Sequence, residues 1–189
     1  VQTCALPIFQ AEMDAGGFDA AFVAVGAHLS KRVDIPNGDA SRVLDAVSFL
    51  RDVEAGTADA DLGRVAVYGG GNTAMDAARV ARRLGADDTV IVYRRTRDQM
   101  PAHEDEAADA EEEGIRINWL RTIASMGEHD LTVEIQELDE SGRPHGTGRY
   151  ETLAADTVIL ALGQESDTRF LATVPGVAFE ADVVQVDPV

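Results

Sequence analysis

The run Val67-Tyr68-Gly69-Gly70-Gly71-Asn72-Thr73-Ala74-Met75-Asp76 constrains this chain more than any other stretch. A short apolar segment precedes it, and an alanine-rich segment with helical spacing follows it. Gly69, Gly71 and Ala74 thus form G-x-G-x-x-A between an expected strand and an expected helix. Gly69 permits the tight turn. Gly71 has no side chain to block a pyrophosphate, and small Ala74 lets the helix pack close to the strand. The helix start then offers unpaired N–H groups and partial positive charge, with Asn72 or Thr73 placed to cap or hydrogen-bond there. We read residues 69–74, Gly70 included, as a dinucleotide-binding loop.

The flanking pattern supplies the rest of an α/β unit. We expect a helix over 41–55, a loop "EAGTADADLG", a strand over 64–68 and a helix over 72–84 closed by Gly85. A strand over 89–93, an acidic helix over 102–113 ended by Gly114, and a strand over 115–120 follow. The period then becomes two at Leu131, Val133, Ile135 and Leu138, before the turn "DESGRP" and a partner strand around Tyr150. The economical reading is a parallel βαβ core plus a β-meander. Two further segments look alike: "DAAFVAVG" (19–26) and "DTVILALG" (156–163) each run Asp, an apolar β-type stretch, then Ala-x-Gly. Each reads as a buried strand ending in a glycine where a backbone or ligand comes close.

The end of the second βαβ strand selects the nucleotide. An acidic residue there suits a free ribose, but this strand ends "VYRRTR", with Arg94, Arg95 and Arg97. Planar guanidinium groups suit the extra 2′-phosphate of NADPH. Six of the 15 arginines fall between Arg79 and Arg97; we read Arg79, Arg82 and Arg83 as a solvated helix face. Asp76, one turn into the helix, has two readings: it lies near the nicotinamide, or it answers the positive helix N-terminus. The acidic helix "HEDEAADAEEE" reads as a solvated face. His103 has no second ligand at metal spacing, and no Ser/His/Asp or Cys/His constellation stands out, so we assign no metal site and no catalytic side chain.

Composition narrows the partners. A net charge of −18 argues against nucleic acid, which needs a basic face. Lys31 is the only lysine, against 20 aspartates; a GC-rich genome and a salt-rich cytosol both fit this bias. No apolar run approaches the ~20 residues needed to span a bilayer. The first residues carry no signal-peptide pattern, and the start "VQTCALPI" matches the translation of a common sequencing-adapter string. We therefore read residues 1–8 as an assembly artefact. Cys4, the only cysteine, lies within them, which leaves no disulfide, thiolate metal site or redox pair and suits a cytoplasmic protein.

Three stretches together resemble the glutamate synthase small-subunit (β-chain-like) family of FAD-dependent NAD(P)H oxidoreductases: "VAVYGGGNTAMDAARVARRLGA", "VYRRTRDQMPAHEDEAADAEEEGI" and "DTVILALGQESDTRFL". The resemblance runs from about Phe18 to the end, and the "YRR…MPA…EEEG" stretch is its most specific part. It implies an FAD domain interrupted by a Rossmann-like NAD(P)H domain, with Gly26 and Gly163 marking the two crossings. It also implies hydride transfer from NADPH to FAD, and electrons passing to iron–sulfur clusters and a large partner subunit. Gly69, Gly71, Asn72, Thr73, Arg94 and Arg95 take the nucleotide role through matched positions.

The departures matter too. The chain shows no N-terminal FAD glycine loop and no cysteine clusters, and it stops at "VVQVDPV" before the family's closing Gly-Asp segment. We expect a partial FAD-domain segment and crossover over 9–60, an NAD(P)H-binding domain over 61–157, and a return crossover into a truncated FAD domain over 158–189. Such a fragment binds NADPH without holding FAD or turning over. Formate dehydrogenase-type and electron-bifurcating subunits use equivalent domains, and a stand-alone NADP(H)-sensing module is the alternative from another class. Burial of Phe22, Val23 and Val25 would favour the stand-alone module; exposure would favour a fragment.

Overall fold

A computed structural model describes residues 39–165 continuously, together with 11–13, 15, 16, 22, 26, 29–31, 33–36, 168, 171, 174, 177–180 and 183–185. The chain divides into two compact units, Ser30–Gln164 and a second made of Val1–Leu29 with Glu165–Val189. Residues 1–8 and most of the strand expected over 19–26 lie outside the described residues. Of that strand's apolar trio, Phe22 is exposed, while Val23 and Val25 are outside the described residues. Within the second unit, Phe179–Glu180 pairs antiparallel with Val183–Val184.

The first unit is built around five parallel strands: β1 (Val43–Asp45), β2 (Arg64–Gly69), β3 (Asp88–Tyr93), β4 (Arg116–Trp119) and β8 (Thr157–Ala161). Three helices accompany them: α1 (Ala46–Glu54), α2 (Asn72–Arg83) and α3 (Glu104–Glu112). A separate antiparallel meander contains β5 (Arg121–Met126), β6 (Asp130–Leu138) and β7 (Pro144–Ala154). The parallel strands lie in the order β1-β8-β2-β3-β4. From β2 the chain steps outward through β3 to β4, then returns to lay β8 on the other side of β2. That reversal leaves a crevice at the carboxyl ends of β2 and β8, where open α/β sheets bind ligands.

Each central strand is apolar on both faces, as a doubly covered parallel sheet requires. Val65, Val67, Ile91 and Ile159 face the helices with Phe49, Met75 and the buried alanines of α2. Ala66, Tyr68, Val92, Val158 and Leu160 face the meander, meeting Met126, Leu131 and Val133. The result is three layers: helices, parallel sheet, meander. The Tyr68 hydroxyl and Thr122 Oγ1 hydrogen-bond between the sheet and the meander.

Two expectations needed correction. The helix expected over 41–55 starts only at Ala46, because Val43–Asp45 extends along the free edge of β8, pairing Val43 with Val158 and Leu44 with Ile159. Asp45 then caps α1, its Oδ1 accepting from Ser48 N at 2.8 Å. The alternation expected through the meander also changes phase. A register shift between Glu134 and Gln136 brings Gln136 into the interior and leaves Ile135 half-buried. Within the compact unit Ser30–Gln164, β8 is hydrogen-bonded between β1 and β2.

The opposite end of the sheet is closed by charge. Arg64 donates to Asp156 through Nε (2.7 Å) and Nη2 (2.9 Å). Together with hydrogen bonds from Arg64 N and His129, this guanidinium holds the Asp156 carboxyl well below the usual carboxylate range, against the opposing effect of desolvation. Among the described residues, no helix is long and apolar enough to cross a membrane, and no His/Cys/Asp/Glu group could hold a metal ion.

Candidate functional site

A cavity of about 630 Å³ opens at the carboxyl ends of β2, β3 and β8, within the ~300–1,000 Å³ typical of ligand sites. Its floor is the glycine loop, Gly69 to Gly71, continued by Thr73. The three glycines have different reasons to be glycine. Gly69 has φ +153°, and a methyl there would run into the backbone of Ala161 on β8. A methyl on Gly70 would strike the Tyr93 ring. Gly71 has φ −94°, ordinary for any residue, and a methyl there would meet nothing within 4 Å. Nothing in the protein's own packing requires a glycine at 71; a ligand approaching the backbone would.

Gly71 is also the N-cap of α2, and no side chain caps that helix. Ala74 N is taken by Gly71 O at 2.8 Å, so Asn72 N, Thr73 N and the positive end of the dipole are what the helix start offers an anion. The Asn72 side chain turns elsewhere: its Oδ1 accepts from His103 N at 2.9 Å, tying the start of α3 to the loop. Ala102 N adds a 3.0 Å bond to Gly70 O. Thr73 lines the cavity, its Oγ1 accepting from Gln164 Nε2 at 3.4 Å. Ala74 is fully buried between helix and sheet. Asp76 is exposed and is not among the lining residues.

The arginines separate. Arg94 and Arg95 line the cavity just beyond Tyr93, and Arg95 Nε is buried with no hydrogen-bond partner. Arg97 lies outside the lining, pairing with Glu111 of α3 at 3.0 Å. On the other wall, Gly163 (φ +109°) lines the cavity and its carbonyl accepts from Lys31 N at 3.0 Å.

Several lining residues escaped sequence reasoning. Tyr93 walls the loop; its hydroxyl donates to Gln99 O at 2.8 Å and its ring meets Trp119 edge-on at 6.2 Å. Burial pushes the Tyr93 phenol up against the opposing pull of Arg95 and Arg94. Lys31, Gln164 and the start of α1 (Ala46, Val47) complete the far side. Lys31 carried one signal, its being the only lysine. Among the described residues, the lining holds Lys31, Arg94 and Arg95 but no carboxylate, in a chain of net charge −18. This is a local reversal of sign around an uncapped helix start. It can hold a multiply anionic, extended molecule, and its described lining includes no aspartate or glutamate to engage ribose hydroxyls.

Comparison with known proteins agrees with this geometry. Residues 10–188 match the family model described as pyridine nucleotide-disulphide oxidoreductase. The NADP(+)-dependent formate dehydrogenase subunit beta of Moorella thermoacetica is 37% identical over 168 residues, covering 82% of this chain and 24% of that protein. The glutamate synthase [NADPH] small chain of Halomonas elongata is 33% identical over 178 residues, covering 83% of this chain and 38% of that one. The chain thus spans well under half the length of these relatives. Among solved structures, Mycobacterium tuberculosis FprA in complex with NADPH superposes with a TM-score of 0.67 at 20% identity, covering 88% of this chain and 53% of that one, a likeness of fold.

Proposed function

The chain belongs to the pyridine nucleotide-disulphide oxidoreductase family, and from that premise we propose that it is the NADPH-binding portion of a flavin-dependent oxidoreductase. In the whole protein, hydride passes from NADPH to FAD, and electrons continue to iron–sulfur centres or a large partner subunit, as in a cytoplasmic glutamate synthase small chain. One observation carries the reading: among the described residues, the cavity lining has three cations and no carboxylate, around a helix start that no described side chain caps.

The residues divide the work. Gly71 admits the pyrophosphate to the N–H groups of α2, and Gly69 and Gly70 shape the turn that delivers them. Arg94 and Arg95 receive the 2′-phosphate, for which the buried, unpartnered Nε of Arg95 is suited. Thr73 and Gly163 bound the opposite half. Bound NADPH supplies the hydride, so no side chain of this chain is assigned a catalytic step. Flavin binding falls to the whole protein.

A domain of the formate dehydrogenase type is the second reading, favoured by the 37% identity to such a subunit. Assaying the whole protein for NADPH oxidation by glutamine plus 2-oxoglutarate, and for NADP+ reduction by formate, separates the two.

The nucleotide reading is tested by calorimetric titration of NADPH and NADH into the chain and into Arg94→Ala/Arg95→Ala. We expect the double variant to weaken NADPH roughly 100-fold, since each charge-assisted hydrogen bond contributes about 1.5–3 kcal/mol, while NADH changes little. Equal losses for both nucleotides would remove the 2′-phosphate assignment.

A further inference from the structure

We infer that the meander's hairpin turn sets the cofactor preference, by holding the arginine loop through a hydrogen bond from Gln99 to Gly142. This rests on the NADPH reading above and deepens it. It assigns Gln99 as a positioning residue, one that acts through Arg94 and Arg95.

The loop from Arg94 to Pro101 leaves β3 at the cavity and returns to the glycine loop at Ala102. It is fastened at several points. Arg95 O accepts from Leu120 N at 3.2 Å, and Gln99 O accepts from the Tyr93 hydroxyl at 2.8 Å. Arg97 pairs with Glu111 on its solvent side. These partners all belong to neighbouring elements of the parallel-sheet half. The remaining fastening is different in kind: Gln99 Nε2 donates to Gly142 O at 3.1 Å, from a residue 43 positions away, on the tip of the β6–β7 hairpin.

That tip is built to present its carbonyl. Asp139 Oδ1 accepts from Ser141 N (2.8 Å), Ser141 Oγ (2.7 Å) and Arg143 N (2.9 Å), adding to the backbone bonds Asp139 N to Arg143 O and Gly142 N to Asp139 O that close the turn. These hydrogen bonds hold the Asp139 carboxyl below its ordinary range. Gly142 takes φ +75°, and a Cβ there would sit 2.7 Å from Gln99 Nε2, so glycine is needed both for the turn and for the amide to dock. On the loop side, Gln99 Oε1 is buried without a partner. The Gln99 side chain thus keeps one amide atom unsatisfied, and the bond to Gly142 is the one hydrogen bond recorded for its amide among the described residues. A residue selected only for packing would do better as leucine or methionine; what the glutamine adds is a link to the turn.

Two guanidinium groups at the start of a loop are only as selective as the loop is still. Among the described residues, the Gln99 side chain makes no hydrogen bond to the glycine loop, to which the pyrophosphate is assigned. Loss of the Gln99–Gly142 bond should therefore loosen the arginines and leave the shared part of the nucleotides unaffected.

The experiment uses the full 189-residue chain and two variants, Gln99→Leu, which keeps bulk and removes the amide, and Asp139→Ala, which opens the exposed turn. NADPH, NADH, 2′,5′-ADP and 5′-AMP are titrated into each, with thermal unfolding alongside. We expect both variants to weaken NADPH and 2′,5′-ADP by about fivefold, the value of one hydrogen bond of ~1 kcal/mol, with NADH and 5′-AMP unchanged. Equal weakening of all four ligands would reduce Gln99 to a structural role and overturn the inference, as would no change in any. If the wild-type chain itself shows no preference for NADPH, the nucleotide reading and the inference fall together. If it does, and Arg94→Ala/Arg95→Ala abolishes the preference while both turn variants retain it, only the inference falls.

Discussion

Two helices begin at the same cavity and begin differently. Helix α1 starts at Ala46 behind Asp45, whose carboxylate accepts from Ser48 N at 2.8 Å. Helix α2 starts at Asn72 behind Gly71, with no side-chain cap. A capped start is the more stable arrangement, worth typically ~1 kcal/mol over an uncapped one. Helix α3 also starts without a side-chain cap, so what sets α2 apart is that its uncapped start lines the cavity, beside Arg94 and Arg95. The contrast extends to charge, since α1 presents a carboxylate at its start and α2 lies near Arg94 and Arg95 across the cavity floor.

Mutations can break or sharpen this contrast. The largest effect is expected from Gly69→Ala, which pushes a methyl into the Ala161 backbone at a φ of +153°. Overpacking and backbone strain together should cost about 3–5 kcal/mol, and thermal unfolding should shift down by roughly 10 °C or more. This would remove the turn that delivers α2 and with it the comparison itself. Next is Gly71→Asp, which makes α2 begin as α1 does. The site has an ordinary φ and open space, so calorimetry should show stability retained or raised by a few tenths of a kcal/mol. Nucleotide affinity should fall by about two orders of magnitude, because placing like charges together costs several kcal/mol. A Gly71→Asp chain that binds NADPH as well as the wild type would remove the anion role of α2. The smallest effect is expected from Asp45→Ala, with a stability loss of ~1 kcal/mol in denaturant unfolding and no change in NADPH affinity. A matching loss of affinity there would mean that the two helix starts are not separate in function.

The glycine loop and its neighbours were legible because their reasons are local. Strand, turn and helix follow one another within a dozen residues, and Gly69 and Ala74 are needed by that succession alone. Gly85 and Gly114, at φ +100° and +84°, close their helices where the pattern placed them. The strand Val43–Asp45 was not legible, since three extended residues without alternation look like the first turn of the helix that follows. Their strand character comes from β8, more than a hundred positions away. The site divides in the same way. Arg94, Arg95 and Arg97 read as one cluster, but only tertiary packing brings Glu111 of α3 to Arg97 and leaves the other two on the cavity wall. Asn72 sits in the motif, yet its side-chain Oδ1 accepts from the backbone N–H of His103.

By itself the sequence determined which local backbone conformations this chain adopts, that it is a parallel α/β unit with a meander, and that a glycine loop opens a helix at the end of a strand. Those properties depend on φ/ψ preference and apolar period, which neighbouring residues decide. The tertiary structure decided which strands lie beside β2 and therefore where the crevice opens. It decided that Lys31, Gln164 and the start of α1 share that crevice with the glycine loop, and that Gln99 reaches the hairpin tip. Such choices depend on contacts between residues far apart in the chain, where burial, hydrogen-bond geometry and charge select partners that no local pattern specifies.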